Sequence, residues 1–126
     1  MLKNYLLIKN KIKNIGDHIL SMLPLIALIS LLCIALTLNI SGYKIEFIAS
    51  SSMEPTLMTG QLVLAKKIDA SQCFIGDIVT YQANDFTITH RIIKEREDSF
   101  EFKGDNNDFS DGFIPKAKVL YKIVAY

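Results

Sequence analysis

From Ile19 to Tyr43 the chain carries no charged side chain, and its centre, Leu23 to Leu38, is almost wholly apolar. An α-helix needs roughly 20 such residues to cross about 30 Å of hydrocarbon. A buried core helix seldom reaches that length. The competing form is a cleaved leader, whose apolar region runs about 7–15 residues and ends at a small-x-small site. Here the run is longer, and Ile48-Ala49-Ser50 comes only after Lys44 and Glu46. The sequence therefore predicts a single transmembrane helix over residues 18–42. Lys3, Lys9, Lys11 and Lys13 precede it against one acid, Asp17. Positive charge stays on the cytoplasmic side of a membrane. Residues 1–17 are thus expected to form a cytoplasmic head and residues 43–126 an extracytoplasmic domain. In the head, Tyr5, Leu6, Leu7, Ile8, Ile12 and Ile15 interleave with lysines, a pattern suited to the headgroup layer. Pro24 falls in the first turns of the span, where a kink is tolerated.

Beyond Tyr43 the hydrophobic period changes from helical to two. Residues 44–49 alternate polar and apolar, the mark of a half-buried strand. Further runs over 61–68, 77–82, 86–94, 99–103 and 118–125 are rich in Val, Ile, Thr, Tyr and Phe, and turn residues separate them. No helix longer than a turn or two is expected after residue 43. The fold class that follows is a small all-β domain, barrel or sandwich, behind one N-terminal transmembrane helix.

Composition removes several function classes. The net charge is +1, and no basic cluster stands beyond the N-terminal lysines, whose charge topology explains. Nucleic acid is not an expected partner. Cys33 lies in the apolar segment and Cys73 in the outer domain, so the two are not expected to pair. Neither has a Cys or His at metal-ligand spacing, and no metal or cofactor is expected.

Three features carry chemistry. Ser50-Ser51-Ser52-Met53-Glu54-Pro55-Thr56 places three hydroxyls before a Met, with Pro55 restricting the backbone behind them. His90 is the one histidine outside the membrane, at the centre of the strongest strand. A serine hydroxyl is a poor nucleophile until a base takes its proton, and imidazole suits that task near neutral pH. The third is the polar stretch Lys103 to Gly112. Read blandly it is a turn, because Asp, Asn and Gly favour turns for local reasons. Read as a calcium loop it fails: with Gly112 sixth, Phe109 takes a ligand position and Lys118 stands where the closing Glu belongs. A carboxylate from it would instead orient the histidine, completing a triad in the order Ser, His, Asp.

Those stretches, together with Gly76-Asp77-Ile78-Val79 and Thr89-His90-Arg91-Ile92, resemble the ordered motif boxes of type I signal peptidases, peptidase family S26. His90, where the common bacterial branch has Lys, resembles the branch of the endoplasmic reticulum, archaea and some Gram-positive bacteria. The resemblance implies a membrane-anchored serine endopeptidase that cuts signal peptides from exported preproteins after small residues at −1 and −3. It implies Ser52 as nucleophile, His90 as general base and Asp111 as the acid partner. Asp105 would support the loop and stands as the alternative acid. Ser50, with the backbone N–H of Ser52, would form the oxyanion hole. The expected partners are preprotein signal peptides and the lipid bilayer, with the secretion translocon as a further candidate, in a bacterial plasma membrane rather than the endoplasmic reticulum. The substrate would add as an extended strand beside the segments that lead into Ser52 and His90. One departure is Gly60-Gln61, where the family often has Gly-Asp. The alternative reading is a non-catalytic relative of the same fold, an assembly factor or chaperone for one secreted or pilus protein.

Overall fold

A computed structural model describes residues 2–126, without the side chains of Leu2, Lys3, Asn4, Leu6, Ile8 and Asn10. The chain divides into two compact units, residues 1–38 and 39–126. The first is one helix, α1, Leu2–Ile40, which ends just inside the second unit. It runs unbroken through the stretch read as a head and on through Pro24, whose ring removes one backbone donor. Lys11–Ile40 is long and apolar enough to cross a membrane. Of the interleaved apolar residues near the start, Leu6 and Ile8 lie outside the described side chains.

The second unit is all-β. Its strands are β1 (Tyr43–Phe47), β2 (Leu62–Lys67), β3 (Ile78–Ala83), β4 (Phe86–Glu95), β5 (Ser99–Lys103), β6 (Gly112–Pro115) and β7 (Val119–Ala125). They form one antiparallel sheet in the order β1-β2-β7-β3-β4-β5-β6. Only single 3-10 turns interrupt them. The expected strands are all present. β6 was not among the expectations, because four residues ending in Pro carry almost no periodicity. It is an edge strand, where a missing N–H is tolerated.

The sheet curls. Glu46 on β1 reaches Thr80 on β3, although β2 and β7 stand between those strands in the sheet. Curling buries two apolar clusters. One gathers Ile48, Met53, Leu57, Val63, Ala65, Ile78 and Ile123; the other gathers Cys73, Val79, Tyr81, Ile92, Phe100, Phe102 and Val119. Tyr81 stacks on Phe102 with ring centroids 4.4 Å apart. Burial raises the Cys73 thiol to about 11, as suits a small core residue and not a nucleophile.

β1 departs from the expected half-buried pattern. Its apolar side chains, Ile45 and Phe47, are 62% and 63% exposed, while Glu46 turns inward. The curl explains the inversion: the inner face of β1 looks across a groove at β4, not into a closed core.

Candidate active site

Ser52 lies in the middle of the 3-10 turn Ser51–Met53. Met53 and Leu57, both fully buried, fasten this segment to the first core cluster, and the Leu57 N–H donates to the Met53 carbonyl at 2.9 Å. A second clamp comes from the loop after β5. The Asn106 N–H donates to the Ser52 carbonyl at 2.9 Å, and its side-chain amide donates to the Ser51 carbonyl at 3.1 Å. This close approach requires a glycine. A Cβ on Gly104 would stand 2.5 Å from the Ser52 carbonyl oxygen, well inside contact distance.

His90 projects from the centre of β4, paired with Val79 of β3, and its side chain is almost wholly buried. Its Nε2 lies 3.0 Å from Ser52 Oγ, and its Nδ1 lies 2.5 Å from Asp111 Oδ2. A carboxylate only accepts, so Nδ1 carries the proton and the Nε2 lone pair faces the serine hydroxyl. Asp111 is held in turn: its backbone N–H donates to the Phe102 carbonyl at 2.8 Å. Tyr81 adds a second donor to the carboxylate, its hydroxyl reaching Oδ2 at 3.0 Å. Burial and the Asp111 charge push the Tyr81 phenol far above its ordinary value, so it remains a donor. Sequence reasoning missed Tyr81. The one available signal was its place in the run 77–82, read as a strand, and a Tyr in a strand argued for packing alone.

The two loop acids occupy different places. Asp105 faces Arg91, not His90. It accepts from Arg91 Nε at 2.8 Å and from Nη2 at 2.6 Å, and from the Thr56 hydroxyl at 2.6 Å. The Arg91 bonds hold the Asp105 carboxyl below its ordinary value against the opposing effect of burial. Arg91 also donates to the Gly76 carbonyl at 2.7 Å. Thus β4, the turn before β3, the loop after β5 and the segment behind Ser52 meet at one guanidinium.

Ser50 stands at the N-cap of the 3-10 turn in an extended conformation but makes no capping bond. Its hydroxyl lies 3.2 Å from Ser52 Oγ instead. Ser50, Ser52 and His90 open on a groove of about 590 Å³ that β1 lines on one side and residues 86–90 on the other. No group of His, Cys, Asp and Glu among the described residues is placed to hold a metal ion.

Comparison with known proteins agrees with the motif boxes at family level. Signal peptidase I W of Bacillus subtilis (strain 168) is 38% identical over 76 residues, covering 56% of this chain and 40% of that protein. The match therefore spans less than half the length of that relative. The family described as Peptidase S24-like matches residues 38–124, which hold six strands whole, β7 but for Ala125, and every site residue above, and the chain belongs to that family.

Proposed function

We propose that this protein is a membrane-anchored serine endopeptidase that removes signal peptides from exported preproteins. The observation that carries the reading is the unbroken path from Ser52 Oγ through His90 to Asp111, with both contacts at hydrogen-bond distance. His90 Nε2 takes the hydroxyl proton as Ser52 Oγ attacks the scissile carbonyl carbon. Asp111 holds the ring in the required tautomer and stabilises the imidazolium that forms. The Ser50 hydroxyl and the Ser52 N–H receive the charge on the tetrahedral oxygen; loss of one such donor typically costs about 10²–10³ in turnover. The intermediate collapses, its C–N bond breaks, and the Nε2 proton goes to the leaving amine. Water, activated by the same imidazole, then hydrolyses the acyl-enzyme. Asp105 has no part in proton transfer in this scheme. It ties Arg91 and the serine segment together.

The signal-peptide C-region lies extended in the groove between β1 and β4, with a small residue at −1 beside Ser52. α1 spans a bacterial plasma membrane from residue 18 to its end at Ile40, with 1–17 on the cytoplasmic side and 43–126 outside. Tethering enzyme and substrate to one bilayer raises their effective concentration. His90 in place of lysine supports the branch of the endoplasmic reticulum, archaea and some Gram-positive bacteria.

Cleavage of a preprotein in liposomes tests the reading. Wild-type protein should cut it behind a small residue, and Ser52→Ala should remain folded and membrane-bound without cutting. Retained cleavage by Ser52→Ala, or none by wild type, would overturn the assignment.

A further inference from the structure

The groove holds a carboxylate that the triad does not use. Glu46 faces inward from β1, with only 12% of its side chain exposed, while Ile45 and Phe47 point outward on either side. A strand that merely completed a core would bury those two and expose the acid. The position of the carboxylate is fixed. The Thr80 hydroxyl, itself buried, donates to Glu46 Oε2 at 2.7 Å, and Thr80 is linked to Thr89 at 2.9 Å. Among the described residues the other oxygen, Oε1, meets only the Lys44 ammonium, at 3.4 Å, and that side chain is more than half exposed. A carboxylate has about four acceptor sites. Glu46, which lines the groove, therefore retains acceptor capacity on Oε1, and its negative charge is offset there only by the long contact to Lys44.

Spacing places Glu46 relative to the reaction. Inward side chains of an extended strand recur every two residues, about 6.7 Å apart. Along β1 and its continuation, Ile48 comes next to the Ser50–Ser52 segment and Glu46 one step further away. A bound strand whose −1 residue sits at Ser52 sets its next inward side chain, −3, one equal step along the groove, at Glu46.

We infer that Glu46 is a specificity-determining residue, which selects, among small side chains at −3, those that donate a hydrogen bond through a hydroxyl, and rejects a carboxylate there. The inference rests on the peptidase reading and narrows the small-residue rule that the family resemblance implies. An alanine at −3 leaves the Glu46 carboxylate desolvated without a new partner. A serine or threonine supplies one, and a glutamate places like charges together.

Binding without turnover tests this. The full-length Ser52→Ala protein in detergent is titrated with four peptides that span the cleavage site and differ only at −3: Ala, Ser, Thr and Glu. At least one donor peptide should bind about tenfold more tightly than the alanine peptide, as expected for one charge-assisted hydrogen bond, and the glutamate peptide should bind least. In Ser52→Ala/Glu46→Gln, which keeps an acceptor for Thr80, the glutamate penalty should disappear. Equal or tighter binding of the alanine peptide relative to both donors overturns the inference, as does a glutamate peptide that matches alanine. Failure of all four peptides to bind overturns the substrate reading itself, and the Glu46 assignment with it.

Discussion

At the scale of single residues, the distinction between Asp111 and Asp105 yields contrasting predictions. Asp111→Ala removes the acceptor of His90 Nδ1–H and should lower kcat by several orders of magnitude with the protein still folded. Asp105→Asn should act on stability instead. The folded-state pKa of Asp105 is lowered, so its contribution is present in full above the unfolded value near 4 and is lost as pH falls through the folded value. Thermal melting followed from pH 6 to pH 2 should show this acid-side loss in wild type and a smaller slope in Asp105→Asn. Identical slopes would show that the Arg91 pairing does not differ between the folded and unfolded chain. Tyr81→Phe removes one of the donors on Asp111 Oδ2 and leaves the stacked ring in place. A fall in kcat of roughly ten- to a hundredfold is expected, with KM little changed, because a hydrogen bond to a charged group is worth about 1.5–3 kcal/mol. A change in KM alone would assign Tyr81 to substrate contact.

At the scale of elements, the site depends on the serine turn, the loop after β5 that bonds to its backbone, and β4, which brings His90 to Ser52 Oγ. The loop after β5 is the least replaceable, because Gly104 passes where no side chain fits. Gly104→Ala must push the loop or the serine turn aside. The expected cost is about 1–3 kcal/mol of stability, the ordinary penalty for overpacking, together with a loss of cleavage from displacement of Ser52. Denaturant melts and single-turnover rates measured on the same sample check both. A variant with full stability and full rate would show that the loop is free to shift. The inverted face of β1 belongs to this scale too. Alternation alone specified a strand, but which face turned inward depended on what lay opposite. The groove lies there, with Thr87 and Thr89 of β4 among its walls.

At the scale of the whole molecule, helix and β-domain are separate compact units, and each should tolerate loss of the other. Residues 39–126 produced alone should fold and cleave a soluble peptide, while cleavage of a preprotein embedded in liposomes should fall by at least tenfold. Equal rates on the embedded substrate would remove any kinetic use for the tether. The apolar helix, six of the seven strands and the all-β class are legible in the sequence, because hydrophobic period and turn residues are local quantities. The motif boxes also named Ser52, His90 and Asp111 before any geometry was known. Tertiary packing selects which acid meets the imidazole, since Asp105 and Asp111 share one loop and diverge through contacts with Arg91 and Phe102. It alone brought Tyr81 to that acid and turned Glu46 into the groove. Those placements depend on how far the sheet curls, and curl sums small twists over every strand pair, so no single stretch of sequence contains it.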